Sequence, residues 1–399
     1  MLTDRNFAPF FLGNLTSNTG NWLFNVSAAV VVFELTRSAF VVGLVSVAQF
    51  LPLVLLSPSA GAVADRVDRR RMVIFSQTFA AVAASALALA SLLLGIEGLP
   101  GAWPILAAAA GIGIGNALSQ PAMNSLVPGL VARRDLATAV SLTSLTYNIG
   151  RAVGPAGAGI LLVTLGAEVA FLINACSFLV LIAGLLLVRA RRREEEPDPA
   201  ADRSVRAGVR YVRNDPTALL LLGGVAAAGF AADPAITLAP SFADLLGRGE
   251  ALVAAIVSGF GVAAIPAALL SGRLQNRHGS APIAGVGMAI MTVGSLAVAV
   301  APWPWLVLVG FSSTGAGFVL AVTSFTTLLQ LQLPDALRGR VMALWTVAFL
   351  GNRPLAAAID GGAADLIGPR FAMGIAITVS LLGALIAMRL ARPRGAPAP

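Results

Sequence analysis

Long uncharged apolar runs alternate with short polar breaks along the chain, and the stretches at 80–94, 178–188, 281–301 and 375–388 carry no charge at all. A helix needs about 20 mostly apolar residues to cross the hydrocarbon of a bilayer. Breaking the chain at charges and loops predicts twelve helical spans, at 8–33, 40–62, 72–95, 103–127, 136–163, 167–188, 217–242, 250–272, 281–301, 304–329, 340–363 and 370–390. An even number of spans puts both termini on one side.

Composition supports the bilayer as solvent. Hydrophobic residues make up 57% of 399 positions and charged residues 12%, against roughly a quarter charged in a soluble domain. One aqueous core could not hide that much apolar surface. The chain has no lysine, so it lacks the Walker lysine and cannot house a nucleotide motor. Cys176 lies in an apolar run and His278, the single histidine, in a short polar loop, which excludes a disulfide framework and a His/Cys metal site. No cofactor or metal is expected. The segment 1–5 is short and a long helix with asparagines follows, so the first span is expected to act as its own insertion signal.

The net charge of +8 gains meaning from where the arginines fall. Arg5, Arg66, Arg69, Arg70, Arg71, Arg133, Arg134, the eight from Arg189 to Arg213, Arg273, Arg277, Arg338, Arg340, Arg389, Arg392 and Arg394 occupy the tails and loops of one side. That is 22 of 27. The opposite loops hold Arg37, Arg248 and Arg370. The positive-inside rule then places both termini and the central loop in the cytoplasm. The basic excess is a topology signal facing the lipid bilayer, and no nucleic-acid partner is expected.

The longest hydrophilic stretch separates two halves, 1–188 and 216–399, with a cytoplasmic linker at 189–215. Within it Val205, Val209 and Val212 face one way and Arg203, Arg206, Arg210 and Arg213 another, the pattern of an amphipathic helix on the inner leaflet or of a simple tether. Asp215 and Pro216 are suited to cap and start span seven. Gly61-x-x-x-Asp65-Arg66 after span two has a counterpart in Gly272-x-x-x-Asn276-Arg277 after span eight. Pro128…Arg134 likewise matches Pro334…Arg340. Paired six-span halves suit a rocking transporter.

Gly61-Ala-Val-Ala-Asp65-Arg66-Val-Asp68-Arg69-Arg70-Arg71 resembles the loop 2–3 motif of the major facilitator superfamily. The resemblance implies a cytoplasmic gate built from an acid and a basic cluster. Gly150-Arg151-Ala-Val-Gly154-Pro155-Ala-Gly157-Ala-Gly159 is similar to the superfamily's antiporter motif, with Ala158 where a glycine is expected. Its glycines suit tight packing of spans five and eight, or a kink at Pro155. Together with Leu35-Thr36-x-Ser38 and Arg338-Gly-Arg340-Val-Met, these motifs look closest to the branch of enterobactin exporters and macrolide efflux proteins. That resemblance covers nearly the whole chain and implies proton-driven export with no enzyme chemistry.

Polar groups inside a span are costly and usually face the bundle interior. Asn14, Asn18, Asn21 and Asn25 form one stripe along span one, and Asn116, Gln120 and Asn124 a row in span four. Either can line a path or act as interhelical glue. Glu34 closes span one and reads as solvated. Arg151 lies 17 residues past Arg134, roughly 25 Å along a helix, with Tyr147 one turn earlier. Arg353 lies 13 residues past Arg340, and Asp360 two turns beyond it. Asp233, Thr237 and Ser241 make a row in span seven.

These residues suggest that Arg151 and Arg353 attract an anionic or electron-rich cargo and that Asp233 or Asp360 carries a coupling proton. A carboxyl held out of water favours its neutral form, which makes reversible protonation near neutral pH feasible. The alternative is that Arg and Asp pair as structural bridges. Gly111-x-Gly113-x-Gly115 lies in an apolar span with no preceding strand and reads as helix packing.

The expected function is export of a siderophore or drug-like small molecule by a monomer in the cell inner membrane. Uptake of a small solute is the alternative within the class, marked by a polar pocket and aromatic residues on spans seven and ten, which hold few. A non-transporting receptor or partner protein is the alternative outside it.

Overall fold

The computed structural model describes residues 6–64, 67–132, 135–188 and 205–391, and all their regular structure is helical. The helices are α1 (Phe7–Thr36), α2 (Ala39–Ala64), α3 (Arg69–Leu94), α4 (Trp103–Leu130), α5 (Leu136–Thr164), α6 (Ala167–Leu187), α7 (Val205–Asn214), α8 (Pro216–Ala231), α9 (Pro234–Thr237), α10 (Ala239–Leu245), α11 (Gly249–His278), α12 (Ser280–Val300), α13 (Pro304–Gln332), α14 (Asp335–Leu350), α15 (Arg353–Ile367) and α16 (Pro369–Ala391). In hydrocarbon a helix satisfies its own backbone, which explains the uniform choice.

Among the described residues nine stretches are long and apolar enough to cross a membrane, including Pro216–Thr237 and Arg340–Ile367, which run through helix breaks. Helices α1, α4 and α5 are as long, at 30, 28 and 29 residues. Their rows of Asn, Gln, Thr and Arg dilute the apolar character.

The chain divides into two compact units. One holds the described residues within Met1–Glu196 together with Ala243–Ser258, and the other those within Pro197–Phe242 and Gly259–Pro399. The same neighbours recur in each. In the first unit α3 packs on α4 and α6, and α1 on α5 and α6; in the second α12 packs on α13 and α16, and α8 on α14 and α16. The entry to α6 is Gly166 at φ 84° and the entry to α16 is Gly368 at φ 89°. Both sit in a region that a side chain rarely tolerates.

Small residues set the closest helix approaches. A Cβ on Gly13 would stand 2.8 Å from Leu181 Cα, and one on Gly184 would run into the Pro9 carbonyl, so α1 and α6 touch backbone to backbone. Gly111 and Gly115 let α4 approach Ala83 and Ser76 of α3, while Gly113 faces the Gln49 backbone of α2. That glycine run is a packing seam, as its apolar setting predicts.

Local caps follow the sequence. The Asp215 side chain accepts from Thr217 N at 2.9 Å with Pro216 opening α8. Asp68 accepts from Arg71 N at 2.9 Å at the start of α3. Helix α7 forms at the amphipathic stretch, with Val212 buried and Arg210 and Arg213 exposed. It packs on α14, where Gly208 lies over Arg340 and the Tyr211 hydroxyl points at the Gln332 carbonyl, 3.5 Å away.

Candidate functional site

In the first unit the polar stripe of α1 splits into two parts. Asn14 and Asn18 both donate to Thr146 Oγ1 on α5, at 2.9 and 3.2 Å, and Asn18 also reaches the Asn14 carbonyl at 2.9 Å. These two act as interhelical glue. One turn further, Asn21 and Asn25 each keep a buried Oδ1 with no hydrogen-bond partner. Unsatisfied buried acceptors are costly, which singles out this half of the stripe.

Beside it, the Arg151 guanidinium lies 5.5 Å from the centre of the Trp22 ring, and that ring meets Tyr147 edge-on at 6.0 Å. Arg151 is half-buried. Gly150 and Gly154 make the arrangement possible, because a Cβ on either would stand within 3 Å of α1, at Asn18 and Trp22 respectively. Helix α5 runs through a buried Pro155 without a break. Gly159, further along, faces Ala254 of α11 in close contact. The motif's glycines thus serve two neighbours, α1 first and α11 last.

In the second unit the charges sit at two interruptions of helices. The first separates α8 from α9 at Ala232 and Asp233, immediately before Pro234; the second separates α14 from α15 at Gly351 and Asn352, with Arg353 and Pro354 opening the new helix. Proline lacks an N–H and clashes with the preceding turn, so a helix ends just before it. Each proline directly follows an embedded charge, a sequence signal that the charges alone did not convey.

Asp233 is buried and accepts from Thr237 Oγ1 at 2.6 Å, while its Oδ1 has no partner. Arg353 is its charged neighbour. Asp360 is fully buried, neither carboxyl oxygen has a hydrogen-bond partner, and its charged neighbour is Asp233. Asn352 donates to the Ala226 carbonyl at 2.6 Å. Asp233, Thr237, Arg353 and Asp360 therefore form one cluster in the second unit, and Tyr147 and Arg151 with Asn21 and Asn25 lie in the first.

Other candidate positions stand apart. Asn116 is half-buried and Gln120 exposed. Of the cytoplasmic gate motif, Asp65 and Arg66 lie outside the described residues and Gly61 falls near the end of α2. Arg69 is exposed, and Arg70 donates from Nε and Nη2 to the Leu185 and Leu186 carbonyls, both at 2.7 Å. Arg70 thereby satisfies the open carbonyls at the end of α6.

An aromatic ladder also belongs to the second unit and is not legible in the sequence. Phe260, Phe318 and Phe349 follow one another at 6.0 and 5.9 Å, and Trp345 stacks on Phe349 at 4.9 Å. Trp345 Nε1 donates to Thr326 at 3.0 Å. The ladder draws on α11, α13 and α14, and spacing within any one helix could not reveal it.

The family described as transmembrane secretion effector matches residues 2–397. The enterobactin exporter EntS of Shigella boydii serotype 4 (strain Sb227) is 28% identical over 379 residues, covering 91% of this chain and 86% of that exporter. EntS of Escherichia coli O81 (strain ED1a) matches to the same extent. Among solved structures, a bacterial homologue of the human lysosomal transporter Spinster superposes with a TM-score of 0.77 at 14% identity, covering 98% of each chain. A D-xylose–proton symporter gives 0.68 at 16%, covering 94% of this chain and 96% of that one. These likenesses concern the fold. With the helical architecture and the match over nearly its whole length, the chain is a multi-pass membrane transporter of the major facilitator type and belongs to the family of transmembrane secretion effectors.

Proposed function

We propose that this transporter exports a small molecule, a siderophore or drug-like compound, from the cytoplasm in exchange for protons, by alternating access. The observation that carries the coupling is the buried acid pair. Asp360 has two unpartnered oxygens beside Asp233, and one arginine, Arg353, is the charged neighbour of Asp233. Two carboxylates with one guanidinium leave an excess negative charge in an apolar setting, and a proton removes it.

Arg151 and Arg353 are the groups proposed to attract an anionic or electron-rich cargo, with Asn21, Asn25 and Tyr147 lining the path in the first unit. The direction of transport draws its support from the family description and the exporter relatives. Both termini are assigned to the cytoplasmic side of the inner membrane on the distribution of arginines.

The test is efflux in proteoliposomes or everted vesicles, with and without an imposed pH gradient, across a panel of siderophores and drugs. Gradient-driven movement of a compound, lost in Asp233→Asn, supports the reading. Movement that ignores the gradient in the native protein overturns proton exchange.

A further inference from the structure

Helices α13 and α14 face each other in the second unit along a seam that the acid cluster does not use. On α14, Met342, Trp345 and Phe349 recur at the spacing of one helix face, and on α13 Phe318, Val322, Thr326 and Gln330 do the same. The two rows meet pair by pair. Gln330 Nε2 points at Met342 Sδ at 3.9 Å, Trp345 Nε1 donates to Thr326 Oγ1 at 3.0 Å, and Phe318 stacks on Phe349 at 5.9 Å.

Exposure is graded along the seam. Gln330 at one end is exposed, Thr326 and Trp345 are half-buried, and Phe349, Phe318 and Phe260 at the other end are buried. Phe349 backs the indole of Trp345 at 4.9 Å and an interplanar angle of 30°. The Thr326 hydroxyl, which accepts from the indole, itself donates to the Val322 carbonyl at 2.6 Å. Trp345 is thus fixed both in position and in the angle of its ring. A ring held in this way can receive another on its open part with little further loss of side-chain freedom.

Beyond Phe349 the row reaches a charge. Gly351 and Asn352 keep right-handed backbone angles, so Arg353 follows Phe349 by one turn, about 6 Å of rise. Arg353 is half-buried. Gly229 of α8 closes over the junction, where a Cβ would lie 3.4 Å from Phe349 Cδ2 and 3.5 Å from Asn352 Oδ1. Rings followed one turn later by a guanidinium complement a flat ring with a negative group on its edge.

We propose that the α13–α14 seam is a cargo subsite for a planar aromatic anion, with the ring on Trp345 and the charge toward Arg353, and that Trp345 selects aromatic over saturated cargo. The inference rests on the reading of Arg353 as a cargo group and narrows it to a chemical class. A seam filled for packing alone needs no indole N–H to satisfy, and leucine would serve. The exposed end, at Gln330, is the end near Arg340 and the side assigned to the cytoplasm, from which an exporter collects its cargo.

Equilibrium dialysis of the detergent-solubilised protein, corrected for micelles alone, compares β-naphthoate with its decahydro analogue, which keeps the carboxylate and loses the flat ring. The native protein is expected to bind β-naphthoate about 2- to 12-fold more tightly, the range of one ring–ring contact. Trp345→Leu should bring that ratio close to unity by weakening β-naphthoate, with Trp345→Phe in between. Phe349→Leu, which removes the backing ring and keeps the indole, should also lower the ratio, and it serves where Trp345→Leu does not stay folded by size-exclusion chromatography. β-Naphthamide, which keeps the ring and loses the charge, should bind the native protein more weakly than β-naphthoate. A native ratio near unity, binding of neither acid, equal binding of acid and amide, or an undiminished ratio in a folded Trp345→Leu overturns the proposal. No gradient is imposed, so a failure of proton exchange leaves these ratios untouched and the two readings fail separately.

Discussion

The side-chain amide of Asn352 donates to the carbonyl of Ala226 at 2.6 Å, tying the break before α15 to α8 about two turns ahead of the break at Asp233. A Cβ on Gly229, one turn on from Ala226, would come within 3.2 Å of the Phe349 carbonyl. The two interruptions are thus held against each other by backbone approach and one amide, and Asp233 and Arg353 sit where the helices are already open. Discontinuous helices are a recurring way to present ion sites in transporters.

A buried, unpartnered carboxyl is retained at a cost in stability. Asp360→Leu is therefore expected to melt at or above the native temperature in detergent while gradient-driven efflux falls at least about tenfold, the effect of one lost ionic step. Thermal unfolding and vesicle flux on the same preparation check both halves. A variant that unfolds early would mean that Asp360 serves the fold.

The ring under Arg151 is expected to matter to cargo rather than to folding. Cation–π contact contributes about 0.5–2 kcal/mol depending on desolvation, so Trp22→Ala should raise KM for transport by roughly 2- to 30-fold, with Trp22→Phe in between. Arg151→Lys should not restore Arg151→Ala fully, because a planar guanidinium stacks where an ammonium does not. Equal kinetics for Trp22→Ala and the native protein would remove the ring from the path.

Close helix approach makes a graded prediction. Gly13→Leu places atoms where Leu181 backbone already lies and should cost about 1–3 kcal/mol or prevent assembly. Gly374→Ala, where nothing lies within 4 Å of the new Cβ, should be neutral or stabilise by up to about 1 kcal/mol through helix propensity. Unfolding in mixed micelles separates the two.

Helix α7 is docked through a glycine. In Gly208→Val the added atoms meet Arg340, whose Cβ would lie 3.0 Å from a Cβ at this position. The helix should loosen, and limited trypsin digestion should cut faster after the exposed Arg210 and Arg213. An unchanged cleavage rate would show that the contact at Arg340 does not hold the helix.

Single residues show how far the sequence reaches. The stripe Asn14, Asn18, Asn21, Asn25 is visible from spacing. Its division into two hydrogen-bonded members and two with unpartnered oxygens is not, because Thr146, which decides it, lies on α5. Asp233 and Arg353 are recognisable as embedded charges, and Pro234 and Pro354 beside them mark the breaks. Arg37 looks like an ordinary loop arginine because its partner Asp244 is 207 residues away.

By itself the sequence determined the solvent, the helical class and the cap at Asp215. Hydropathy and capping are local properties, read within a few residues, and a long uncharged apolar run in lipid satisfies its backbone within itself as a helix. Tertiary structure alone decided which polar groups are satisfied, which acids meet, where Gly159 finds Ala254 and which arginine lies over a ring. Each of these depends on a second helix whose facing side is set by packing, and spacing along one helix carries no record of what stands opposite.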